Sequence, residues 1–185
     1  MSRLIETIRV AEGKMENLEY HFRRMKDLHT NDVLKINIPS QGIHKLRIVY
    51  DINDFEFTIS PYTIKPIRSL NLVTGNNIVY DQKFEDRSAI EKLLALKANC
   101  DDILIIKNNL ITDVSFANIT FREGSQWYTP ESFLLNGTMR QKLLDTGMIK
   151  ERKITVDDIG RYSHFRLINA MLTGEAPESE VSNIR

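Results

Sequence analysis

Three observations predict a mixed α+β (or α/β) protein. Short runs rich in β-branched residues alternate with turn-forming residues, as strands do. Other stretches repeat apolar residues at helical spacing. A length of 185 residues, 42% of them hydrophobic, suits one domain or two small lobes sharing a core.

Residues 4–10 are dominated by Ile5, Ile8 and Val10 and close at Glu12-Gly13, which reads as a strand and turn. Residues 15–29 repeat Leu18, Phe22, Met25 and Leu28, so a helix with one apolar face is expected. Its other face carries Glu16, Glu19, Arg23 and Lys26. Pro39 lies in a loop over 37–42. The runs 45–50 and 55–60, joined by Asp51-Ile52-Asn53-Asp54, form a hairpin. Pro61 and Pro66 bracket an extended connector, the best boundary between two lobes.

Beyond it, 70–73 reads as a strand, 80–87 as irregular and 89–98 as a helix with Ile90, Leu93 and Leu94. The apolar run 101–107 is a buried strand, followed by strands at 110–112 and 118–121. A helix is expected over 137–144, a strand over 149–154, a helical turn over 156–162 and a last strand over 165–172. The tail beyond Gly174 is polar and expected to be loose. The resulting division is a small lobe over 1–66, a larger lobe over 67–174 and a tail over 175–185.

Twenty-five basic and 25 acidic residues give zero net charge. That balance offers no footprint for nucleic acid or for an anionic membrane surface. A single cysteine, Cys100, makes neither an internal disulfide nor a zinc cluster. No apolar run approaches the roughly 20 residues of a membrane span. Charges at Arg3, Glu6 and Arg9 interrupt any signal-peptide core, so a soluble, cytoplasmic protein is expected. No metal-ligand spacing is present. His21 and His164 read as hydrogen-bonded structural histidines.

Seven segments then carry a family resemblance. Thr112-Asp113-Val114-Ser115-Phe116-Ala117-Asn118, after the acidic pair Asp101-Asp102 and an apolar strand, resembles the Thr-Glu-x-Ser-x-x-Asn signature of class IV aminotransferases. Trp127-Tyr128-Thr129-Pro130 is similar to the family's hydrophobic-Thr-Pro element. Leu135-Asn136-Gly137-Thr138-Met139-Arg140 looks like its phosphate loop, and Arg152-Lys153-Ile154 like its Glu-Arg-x-Ile strand. Ile168-Asn169-Ala170-Met171 is close to a segment of aminodeoxychorismate lyases. At the other end, Glu6-Thr7-Ile8-Arg9 and His21-Phe22-Arg23-Arg24 resemble the opening strand and the His-x-x-Arg helix. The likeness spans about residues 4–172, loosely over 30–75.

The resemblance implies a fold-type-IV enzyme, with a small N-terminal α/β lobe, a larger pseudo-barrel lobe and pyridoxal 5′-phosphate as cofactor. It also implies a homodimer acting on a small-molecule amine. The lysine that forms an imine with the cofactor aldehyde lies in this family about twenty residues before the acidic pair. Lys83 fits, with Arg87 four residues later as in some lyase members; Lys65, Lys92 and Lys97 are the rivals. Asp113 takes the place of the family's glutamate, which keeps the ring nitrogen protonated so that the ring accepts electrons. Arg24 is the expected phosphate arginine. Adjacent helical residues point about 100° apart, so Arg23 should face solvent. Gly137, Thr138 and Met139 offer backbone N–H groups at a helix start. Ser115, Asn118 and Asn169 read as loop-shaping or cofactor-proximal.

Members of the family usually run about half as long again. Here the stretch 30–75 is compressed, the last strands give way to a polar tail, and no clamp for a substrate carboxylate is identifiable. Three activities stay open: a lyase converting 4-amino-4-deoxychorismate to 4-aminobenzoate and pyruvate for folate biosynthesis, an aminotransferase for branched-chain or D-amino acids, and a non-catalytic protein that kept the fold. Thr7, Arg9 and the Asn169-Ala170-Met171 segment look more like the lyase.

Overall fold

A computed structural model describes residues 2–173 and 176–185 and shows a mixed α+β architecture built on two sheets. The first has the order β2-β1-β3-β4, formed by β1 (Leu4–Ala11), β2 (Lys14–Met15), β3 (Ile43–Tyr50) and β4 (Phe55–Pro61). Period-2 alternation in β1 sends Glu6, Ile8 and Val10 to one face, where Ile8 and Val10 meet Met25, Val33, Leu46 and Ile48 in a closed core. The opposite face presents Thr7 and Arg9.

The helix expected over 15–29 is split. Helix α1 (Leu18–Met25) ends where Lys26 and Asp27 take left-handed φ angles of 53° and 58°, and α2 (Thr30–Leu34) restarts after His29 at 55°. The break follows from packing. Val33 and Ile36 must reach the same core as Met25, and a continuous helix would carry them past it.

The second sheet contains β5 (Leu70–Thr74), β6 (Asp102–Lys107), β7 (Leu110–Val114), β8 (Asn118–Glu123), β9 (Gln126–Pro130) and β10 (Lys150–Arg152), with β11 (His164–Ile168) on β8 and β12 (Glu178–Glu180) on β11. Helices α3 (Ser88–Leu94) and α4 (Thr138–Asp145) and a 3₁₀ turn at Val156–Arg161 complete it. Strand β6 reads as a continuous apolar run because it is buried on both faces; Ile103, Leu104 and Ile105 are fully enclosed. Strand β9 goes beyond the expected elements. Its aromatic pair is covered by cations, with Arg166 above Trp127 and Arg152 above Tyr128.

The tail corrects an expectation. Its described part is ordered: β12 pairs with β11, and Arg185 exchanges backbone hydrogen bonds with Leu70 and Leu72 at 2.9 and 2.7 Å. That pairing draws the tail across to β5. Polar composition misled because Glu178 is matched by Arg122 and Arg166 while Ala176, Val181 and Ile184 turn inward. The boundary drawn at 174/175 lies outside the described residues.

Candidate active site

Lys83 sits in the irregular segment before α3, yet it is firmly placed. The upstream half of β1 has no β2 beside it, and the lysine segment fills that edge: Ile5 N–H donates to the Lys83 carbonyl at 2.8 Å and Glu85 N–H to the Arg3 carbonyl at 2.9 Å. The side chain turns toward the outer face of β1, where Nζ donates to Thr7 Oγ1 at 3.1 Å. Burial, reinforced by the positive charge of Arg24, pushes the amine down to about 7. Lys65, Lys92 and Lys97 are exposed. The uncharged fraction of Lys83 grows as pH rises through that value. Acetylation of Lys83 by acetic anhydride, followed by peptide mass spectrometry, should therefore show a midpoint near pH 7; a midpoint near 10 would contradict the burial argument.

Arg24 projects from the last turn of α1 toward Lys83, and Arg23 faces solvent against Glu19, as the 100° offset requires. Glu6 holds Arg24 in a fork: Nε donates to Oε2 at 3.1 Å and Nη2 to Oε1. Glu6 is fully enclosed, with His21 Nδ1 3.2 Å from Oε1. Burial alone would raise the Glu6 carboxyl. Arg24 and His21 outweigh it and hold the group well below the usual carboxylate range. The family motifs assign Glu6 no role of its own, although alternation puts an acid on the apolar face of β1.

Asp113 closes the opposite wall, near the end of β7. Its Oδ2 accepts the backbone N–H groups of Leu134 and Leu135, both at 2.9 Å, and its Oδ1 accepts Asn118 Nδ2 at 2.8 Å. Burial dominates these bonds and lifts the carboxyl to about 6. Asn118 also donates to the Leu135 carbonyl at 2.8 Å, tying β8 to the loop that precedes α4.

Gly137 is the residue before α4, and no side chain caps the first turn. The N–H groups there are oriented for an anion. Glycine is needed for space, since a Cβ would collide with Asn118 Oδ1. Gly137→Ala should therefore displace the Asn118 amide that supports Asp113. We expect a loss of roughly 1–3 kcal/mol, the cost of disturbing buried polar groups, read as a lower melting temperature; unchanged melting would show that the loop yields freely.

Lys83, Arg24, Asp113, Ser115, Asn118, Gly137, Thr138 and Asn169 all line one cleft, together with Tyr80, Arg87 and Ile90. Met139 does not; its side chain packs under α4 against Leu143, Ile149 and Ile168. Two cleft residues are occupied by scaffolding. Ser115 donates its hydroxyl to the buried Asp102 at 2.8 Å. Asn169 Oδ1 accepts Met171 and Leu172 N–H at 2.8 and 2.9 Å, shaping its own turn. Arg140 serves the same end, bridging the Pro130 carbonyl, Asn136 and Glu151. No cluster of metal-binding side chains occurs among the described residues, and no helix is long and apolar enough to cross a membrane.

Comparison with known proteins bears on this cleft. The family model described as "Amino-transferase class IV" matches residues 86–176. An uncharacterized protein of Haemophilus influenzae is 36% identical, over 92% of this chain and 98% of its own. A solved structure from Haemophilus somnus, provisionally named a 4-amino-4-deoxychorismate lyase, is 33% identical with a TM-score of 0.84, covering 94% of this chain and 98% of that one. Both relatives thus share the short length. A hypothetical aminotransferase of Mycobacterium tuberculosis in its PLP-bound form is 14% identical, with a TM-score of 0.76 over 99% of this chain and 81% of that one, a likeness of fold.

Proposed function

Because the chain belongs to the amino-transferase class IV family, we propose that it is a pyridoxal-phosphate-dependent enzyme acting on a small amine, with lyase chemistry as its main reaction. One observation carries the reading: a near-neutral lysine amine and a buried carboxylate share a cleft with the uncapped start of a helix. The donor set suits the cofactor at each of its polar ends. The N–H groups of Thr138 and Met139 and the guanidinium of Arg24 would hold the phosphate. Asp113 would face the ring nitrogen, and Lys83 the aldehyde. When bound, pyridoxal phosphate supplies a carbonyl that captures amines and a ring that accepts the electrons of a carbanion.

The protein's own groups do the rest. Asp113 would hold a proton at the ring nitrogen, and a cation there would offset the burial that raises its carboxyl to about 6. Lys83 Nζ, uncharged in a large fraction at neutral pH, takes the proton from the substrate carbon and can return it elsewhere. Thr7 Oγ1 fixes the direction in which that amine points. Glu6 fixes the Arg24 fork beside Lys83.

The lean to a lyase rests on Thr7. A hydroxyl in contact with the amine is a proton relay, and elimination needs a proton delivered as the leaving group departs. The reading places the protein in folate biosynthesis, producing 4-aminobenzoate and pyruvate, in the cytoplasm and as a homodimer with its cleft near the interface. Incubation with pyridoxal phosphate and 4-amino-4-deoxychorismate should release pyruvate. Keto acids formed from branched-chain or D-amino acids, without pyruvate release, would replace the lyase with an aminotransferase.

A further inference from the structure

Charge accounting around the cleft leaves one residue unexplained. Arg24 is matched by Glu6. Lys83 is relieved of much of its charge. Arg87 lines the same cleft, half-buried, and among the described residues no carboxylate lies within ion-pair distance of it. Its Nη2 donates to the Ser115 carbonyl at 2.8 Å, which fixes the guanidinium against the cleft wall. Tyr80 lies beside it and spends its own hydroxyl hydrogen on the Phe84 carbonyl at 3.0 Å, so the phenol faces Arg87 as an acceptor. Neither neutral oxygen balances a guanidinium. A partly desolvated cation retained without a counter-charge is costly unless a ligand brings one.

Resting on the reading of the cleft as a cofactor site, we propose that Arg87 is its anion-binding residue, receiving an anionic oxygen on the guanidinium edge that Ser115 leaves open. Two groups offer that chemistry, a substrate carboxylate and the ionised ring hydroxyl of the cofactor. The placement also explains why Arg87 contributes to holding the Lys83 amine low, since its field reaches the lysine unopposed.

Arg87→Gln tests the idea with the fold preserved, because the amide still donates to Ser115 while the charge is gone. Arg87→Lys restores charge without the fork. Calorimetry would measure binding of 4-aminobenzoate and of pyruvate, as carboxylate probes, to the protein without added cofactor. The visible band of the cofactor-loaded protein would be titrated against pH. A carboxylate source predicts affinity about tenfold or more weaker in Arg87→Gln, partly recovered in Arg87→Lys. A ring-hydroxyl source predicts unchanged carboxylate binding with a shifted titration midpoint of the band. Wild-type carboxylate affinity and a wild-type band in Arg87→Gln would overturn the proposal. If the wild-type protein takes up no cofactor, the enzyme reading fails, and the carboxylate measurement alone then decides the role of Arg87.

Discussion

Lys83→Ala loses essentially all turnover while remaining folded. The fold survives because the backbone carries the placement of this segment: alanine keeps the carbonyl that accepts Ile5 N–H and the bridge between Leu4 and Phe84. The side chain gives up one bond, to Thr7, and removes an amine whose depressed pKa marks it as poorly solvated. Activity falls because the proposed mechanism gives one atom, Nζ, both the covalent attachment and the base. Losing both functions costs a factor on the order of 10⁴ or more. Cofactor should still enter, held by Arg24, Asp113 and the start of α4, but without the visible band that sodium borohydride removes. Melting and steady-state rates check both halves, and a variant that kept colour and rate would move the attachment to another lysine.

Asp113→Asn is the second large effect, and the structure makes it a double one. All three partners of the carboxylate are donors: Asn118 Nδ2, Leu134 N–H and Leu135 N–H. An amide has one oxygen, so its NH₂ must face a donor whichever way it is turned. Asn118 cannot flip to relieve this without setting its oxygen against the Leu135 carbonyl. The expected stability loss is about 1–3 kcal/mol, the penalty for unpaired buried polar groups. Catalysis suffers separately, because the charge that keeps the ring nitrogen protonated is gone; turnover should drop by a factor on the order of a hundred or more. Asp113→Glu retains the charge and should lose less. An Asp113→Asn protein with wild-type melting and rate would reduce this carboxylate to an ordinary turn residue.

Much of the framework was legible in the residues. The apolar run of β6 and the hairpin of β3 and β4 announce themselves through local pattern, and pattern suffices where burial and turn chemistry agree. The spacing of Lys83 from Asp101-Asp102 and the order of the family motifs led to residues that do converge on one cleft. Other features depend on tertiary packing. The end of α1 is set by left-handed residues that its apolar stripe does not reveal. The tail is held by ion pairs and by backbone bonds to a strand more than a hundred residues earlier in the chain. Ser115 and Asn169 reach the cleft, but their polar atoms are claimed by Asp102 and by a local turn. Met139 buries its side chain elsewhere and leaves only its backbone at the start of α4. Glu6 was findable, since an acid in phase with Ile8 and Val10 is either mispredicted or paired in the interior.

The most direct measurement is the site of covalent attachment. The wild-type protein is incubated with pyridoxal phosphate near neutral pH, reduced with sodium borohydride, digested and mapped by mass spectrometry. A single cofactor-derived mass on the peptide containing Lys83, absent from Lys83→Ala, is the predicted result. An unlabelled protein at saturating cofactor, or label on Lys65, Lys92 or Lys97 with Lys83 free, would contradict it.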